Sequence, residues 1–226
     1  MQTHAGSVSS VAAPLPISTI VQCVVLDGVS WETYVRLLAE HGESGGAHFT
    51  YDRGRLEIMV LSAAHEALKH ALEVLVEIFA EELNIDVRGF GSTTFRRADL
   101  ERGFEPDACF YIRQEPSVRG KREIRLTVDP PPDLVIEIDI SHSSLNKLPI
   151  FAALGIPEVW HHDGTKVTIV TLEASAYREV AESAALPGVT GEVLSRFVET
   201  NTQLQPTLWR RSVRDWARNC LTPVRE

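Results

Sequence analysis

Residues 130–140 read PPPDLVIEIDI, from Pro130 to Ile140, and the fold turns on this stretch. The prolines end a loop, because their rings remove the backbone donors that a sheet ladder needs. Beyond them Leu134, Ile136, Ile138 and Ile140 alternate with Asp133, Val135, Glu137 and Asp139. A period of two belongs to a β-strand, whose successive side chains point to opposite faces. One face is wholly apolar, while the other carries three carboxylates beside a valine. An ionised carboxylate inside such a strand is costly unless a cation or a basic side chain meets it.

Working outward, residues 141–146 form a turn into a short helix that runs through Leu154. Pro149 fits only in its first turn, Asn146 serves as its cap, and Gly155 ends it. Residues 157–162 and 165–172 predict a hairpin across Asp163-Gly164. Upstream, residues 105–113 are β-compatible, as are residues 86–97 with a bend at Gly89 or Gly91. Before these, Leu68, Leu72, Leu75, Phe79 and Leu83 recur at helical spacing across residues 62–83. Residues 47–51 and 55–61 flank Asp52-Arg53-Gly54 as a first hairpin. Ser30 N-caps a helix from Trp31 to His41, ended by the glycines between Gly42 and Gly46. Residues 1–25 read as a loose arm or a short edge strand. Residues 190–200 and 206–221 read as C-terminal helices, the last with a Trp209 and Trp216 stripe suited to packing or a subunit contact.

This order predicts an α/β fold, a mixed sheet flanked by helices in place of a strictly alternating doubly wound one. It divides into an arm and helix at 1–46, a core at 47–172 and a helical extension at 173–226. The net charge of −9 opposes general attraction to nucleic acid. Any such affinity must come from local patches, one between Arg88 and Arg125 and one formed by Arg210, Arg211, Arg214, Arg218 and Arg225. Both are interspersed with acids, so solvated surface is an equal reading. Three scattered cysteines indicate neither a disulfide framework nor a zinc site, and reduced, mostly buried thiols are the simplest expectation. No apolar run approaches the roughly 18 residues of a membrane span, and the expected location is cytoplasmic.

Asp107 begins one strand and Glu137 lies within the next, so pairing of these strands brings two carboxylates together. Hard oxygen ligands of this kind suit magnesium, which lowers the pKa of an attacking water in phosphodiester hydrolysis. Lys147, at the start of the following helix, adds a positive charge for the developing negative charge. Glu57 approaches from the first hairpin, although an exposed strand glutamate is the simpler reading. His65, Glu66 and His70 lie at the polar edge of their helix without HExxH spacing, and His161 and His162 adjoin a turn; none of these is assigned a role.

At these residues the chain resembles the Uma-two family of restriction endonucleases within the PD-(D/E)XK superfamily. The resemblance is carried by GRLEIM at 54–59, EPDACF at 105–110, PDLVIE at 132–137 and Lys147 with AALGIPEVW at 152–160. It implies a restriction-endonuclease-like core that hydrolyses DNA, with Asp107, Glu137 and the Ile138 backbone carbonyl as ligands of Mg2+, or alternatively Mn2+. It also implies a lysine beside them. The superfamily pattern places that lysine two residues after the acid, where this chain has Asp139, an accessory candidate. Lys147 occupies the place from which family members draw the lysine instead. A homodimer would supply one site for each strand of a duplex. The competing reading is a catalytically inactive nuclease-fold module that binds nucleic acid or protein, and Asp139 and the acidic net charge are the features in its favour.

Overall fold

The structure, a computed structural model, describes residues 22–42, 46–140 and 145–223. Its elements run β1 (Gln22–Asp27), α1 (Trp31–His41), β2 (Ala47–Asp52), β3 (Arg55–Val60), α2 (Ala63–Leu83), β4 (Arg88–Gly89) and β5 (Phe95–Arg97). There follow β6 (Arg102–Phe104), β7 (Ala108–Tyr111), α3 (Glu115–Val118), β8 (Leu134–Ile138) and α4 (Leu148–Leu154). The chain ends with β9 (Glu158–His162), β10 (Val167–Glu173), β11 (Ala176–Val180), α5 (Gly191–Asn201) and α6 (Pro206–Cys220).

Local chemistry sets most of these boundaries. Ser30 and Ser62 each accept a hydrogen bond at 3.2 Å from a backbone N–H three residues on, which satisfies one orphan donor of α1 and of α2. Arg53 and Gly54 take positive φ between β2 and β3, the two-residue turn whose twist matches a hairpin. Gly155 closes α4 in the left-handed region, and Asn146 Oδ1 accepts from Leu148 N at 3.1 Å. Asn146 thus makes the expected capping bond, although Lys147 is the residue at the cap position.

There are two sheets where one was expected. The first has the order β1-β3-β2-β6-β5 and is antiparallel throughout; the second has the order β11-β10-β9-β8-β7-β4 and is mixed, with β8 and β9 parallel across α4. Residues 86–97 are not one bent strand: β4 pairs with β7 in the second sheet, and β5 pairs with β6 in the first. Gly91 takes positive φ between them and turns the chain from one sheet to the other. The region beyond residue 172 is not wholly helical, because β11 adds an edge strand to β10. The N-terminal edge strand is present as β1; residues 1–21 of the expected arm, and the turn at 141–144, lie outside the described residues.

Strand β8 is buried on both faces. Leu134, Ile136 and Ile138 pack toward α2, α5 and α6, while Val135 packs with Cys109, Val159 and the α4 residues Ile150, Phe151 and Leu154. Helix α2 is buried beyond its one apolar stripe, with Ala71, Val74, Val76 and Ile78 also inside, because α5 and α6 cover its outer side. Arg214 and Arg218 of α6 pair with Glu81 and Glu82 of α2. Trp216 meets Phe79 and Phe197, and Trp209 Nε1 donates to the Phe197 carbonyl. The tryptophan stripe is therefore intrachain packing. Of the cysteines only Cys109 is buried, which corrects the expectation of buried thiols. Among the described residues no helix is long and apolar enough to cross a membrane.

Glu158 fastens the C-terminal region to the second sheet. It is 1% exposed and accepts from Trp160 Nε1 (2.8 Å), Ser183 Oγ (2.5 Å), Ala184 N (2.7 Å) and Ala185 N (3.2 Å). Removing an acceptor that serves several buried donors leaves each of them unsatisfied. Glu158→Ala should lower the unfolding free energy by roughly 3 kcal/mol or more, read from urea denaturation. A loss below about 1 kcal/mol would show that these donors find other partners.

Candidate active site

Three elements converge at one end of β8. Ala108 pairs with Ile136 and Cys109 with Val135, so the antiparallel register carried one residue further sets Asp107 opposite Glu137. Asp107 Oδ2 accepts from the backbone N–H of Ile138 at 2.7 Å, which caps the β8 end of the ladder with a carboxylate. Lys147, at the entrance to α4, places Nζ 2.7 Å from Glu137 Oε2. The sequence-derived trio is thus assembled, and the salt bridge weighed against a cation at Glu137 is formed. The other oxygen, Glu137 Oε1, is buried without a hydrogen-bond partner among the described residues.

Two histidines flank Asp107: His65, which sequence reasoning set aside, and His48, which it did not single out. His65 is buried on α2, with Nε2 3.3 Å from Asp107 Oδ2 and 3.1 Å from the Ile138 carbonyl. With two acceptors facing it, Nε2 carries the proton and donates. His65 is therefore not at the polar edge of its helix. It stands three residues before Leu68, in phase with the apolar stripe, and that spacing was the available signal. His48 approaches from β2, with Nδ1 3.6 Å from Asp107 Oδ1. His48 and Thr50 pair with Met59 and Glu57, so these four share the face of the first sheet opposite Phe49 and Tyr51. Glu57 is 1% exposed and accepts from Leu145 N at 3.1 Å, which overturns its reading as an exposed strand residue.

A cavity of about 380 Å³ opens at this end, lined in part by Met59, Glu137, Asp139, Asn146, Lys147 and His161. His161 pairs with Glu137 across the parallel β8–β9 ladder and so faces the same way. Arg88 and Arg119 pair with Glu115, Arg97 with Asp99, Arg102 with Asp52 and Lys121 with Asp129. Much of the central basic patch is thereby neutralised within the chain.

Burial drives the electrostatics. It pushes the Glu137 carboxyl up to about 7; Lys147 partly offsets this, and the charge of Asp107 adds to it. Burial also pushes Asp107 up, but His65, Lys147 and His48 outweigh it, so Asp107 stays below the usual carboxylate range. Two neighbouring carboxylates thus divide into one readily ionised and one poised near neutrality. Lys147 is raised above its ordinary value against burial by Glu137, Asp107 and Glu57, and it stays charged. Burial lowers His48 to about 4, with Asp107 opposing, so its imidazole is neutral at pH 7.

Among the described residues no three His, Cys, Asp or Glu side chains already stand grouped to hold a metal ion. Two carboxylates and a backbone carbonyl nevertheless match a hard cation that keeps waters and takes substrate oxygens, and the orphaned Glu137 Oε1 is a buried acceptor suited to one. Residues 31–203, which contain all of these groups, match the model of the Uma2 family, described as "Putative restriction endonuclease". The chain belongs to the Uma2 family. This is a family of nucleic-acid hydrolases by that description, and the match extends past the hairpin of β9 and β10 to include β11 and α5. The crystal structure of a putative nuclease belonging to DUF820 from Anabaena variabilis is similar to this Uma2 chain, with 16% identity and a TM-score of 0.48. That similarity covers 75% of this chain and 99% of the other. No curated protein matches the sequence.

Proposed function

We propose that this chain is a divalent-cation-dependent endonuclease that hydrolyses DNA phosphodiester bonds, with Asp107, Glu137 and Lys147 as its catalytic group. The observation that carries the reading is Glu137: buried in β8, it has one oxygen on Lys147 and the other without a partner among the described residues. Asp107, Glu137 and the Ile138 carbonyl would hold Mg2+, or Mn2+ in its place. When bound, the cation lowers the pKa of water and offsets charge on the phosphoryl oxygens.

The remaining roles belong to the chain. Asp107 is kept ionised by the donors around it and is ready to ligate. His65 holds Asp107 and the Ile138 carbonyl toward each other through one N–H. Lys147 lines the cavity with its charge intact and stabilises negative charge that develops on the phosphate. Glu57 anchors Leu145, two residues before Lys147, and so positions the lysine. Asp139 lines the same cavity as an accessory acid. A homodimer would bring two such sites to the two strands of a duplex.

The second reading, a module that binds without cutting, is favoured by the ion pair that Lys147 already makes with Glu137 and by Asp139 at the superfamily's lysine position. Supercoiled, linear and single-stranded DNA incubated with Mg2+, Mn2+ or chelator separates the two. Cleavage that requires the cation and is missing from a Glu137→Gln preparation supports the nuclease. Retained DNA with no cleavage under any cation supports the inactive module.

A further inference from the structure

Asp107 engages Ile138 N and His65 through Oδ2 alone, and Oδ1 faces His48. His48 Nδ1 is buried without a hydrogen-bond partner among the described residues, and Glu137 Oε1 on the opposing strand shares that condition. The 3.6 Å between His48 Nδ1 and Asp107 Oδ1 is too long for a hydrogen bond. It is close to the span of two ligands on one ion: with bonds of about 2.1 Å and angles of about 90–110°, two donors stand roughly 3.0–3.5 Å apart.

We propose that His48 Nδ1 is a ligand of the same cation as Asp107, which makes this a mixed nitrogen and oxygen site for a first-row transition cation in preference to Mg2+. The proposal rests on the cation site of the nuclease reading and adds to it the imidazole, delivered by the first sheet across to the second. Imidazole nitrogen suits borderline divalent ions, whereas Mg2+ prefers oxygen donors and retains its waters. His48 sits on the same β2–β3 face as Glu57, so the hairpin contributes both a cation ligand and the anchor of the Lys147 loop.

The test uses the full-length protein with Mn2+ and Mg2+ as probes. Their affinities are measured by calorimetry, and nitrogen ligation of Mn2+ is read by pulsed electron paramagnetic resonance in wild type, His48→Ala and His48→Gln. Wild type should bind Mn2+ at least about tenfold more tightly than Mg2+ and show imidazole nitrogen coupling; both variants should lose the coupling and about tenfold in Mn2+ affinity, with Mg2+ affinity little changed. The glutamine variant fills the space and keeps a polar end without the imidazole nitrogen, so it carries the test if the alanine variant folds poorly. Mn2+ binding without nitrogen coupling, or coupling that persists in a folded variant and so comes from His65, overturns the proposal and leaves the nuclease reading intact. Wild type that binds neither cation, with or without DNA, overturns both.

Discussion

Glu137→Gln should lower cation-dependent DNA cleavage by about 10³-fold, the loss expected when a ligand contributing roughly 4 kcal/mol to the transition state is removed. The same change should leave unfolding free energy within about 1 kcal/mol of wild type, because two opposing effects meet at this residue. Lys147 loses its nearest partner but keeps Asp107 and Glu57 as neighbouring charges, and the repulsion between Glu137 and Asp107 is relieved. Were Glu137 only half of a structural ion pair, removing it would instead cost about 3–5 kcal/mol. Cleavage and urea denaturation measured on one preparation distinguish these cases. Unaltered cleavage would remove Glu137 from the catalytic group. At Asp107 the parallel experiment needs Asp107→Asn in place of Asp107→Ala, since the alanine also strands Ile138 N at about 1–3 kcal/mol and takes one of the two acceptors of His65 Nε2, leaving it the Ile138 carbonyl.

Lys147→Met should lower the cleavage rate by about 10²–10³-fold, the scale seen when a preorganised donor to developing charge is lost. Methionine retains most of the length of the stem at the cavity wall, which Lys147 shares with Leu148 and Phe151. The cation affinity should hold or rise, because Nζ now occupies Glu137 Oε2 and removing it frees that oxygen for the ion. A rate fall together with a matching loss of cation affinity would make Lys147 a structural support of the ligand set. Cleavage at the wild-type rate would mean that the lysine has no part in the reaction, and Asp139 would then stand unreplaced where the superfamily has its lysine.

The elements that chemistry specifies locally were legible in the chain. Residues 130–140 are a strand because prolines stop before an alternating run; α1 and α2 begin at serine caps; Arg53-Gly54 makes a tight hairpin; Gly155 ends α4. The positions of Asp107, Glu137 and Lys147 were legible too, since a carboxylate within an apolar strand asks for a partner. The short strands β4, β5 and β6 were not. Two or three residues carry too little periodicity to distinguish a strand from a loop, and their pairing in different sheets follows from contacts distant in sequence.

Sequence by itself determined the order of the long elements, the acidic pair on consecutive strands and the lysine that follows, because each rests on caps, turns and spacings within a few residues. Only tertiary structure decided that residues 86–97 divide between two sheets, that His48 and His65 flank Asp107, and that Glu57 anchors Leu145 just before Lys147. It also decided that Arg88, Arg97, Arg102 and Arg119 of the central patch serve intramolecular carboxylates and that burial raises the Glu137 carboxyl to about 7. The physical reason is range. Backbone hydrogen bonds and steric preferences act over a few residues, whereas desolvation and charge pairing depend on which distant segments exclude water from one another.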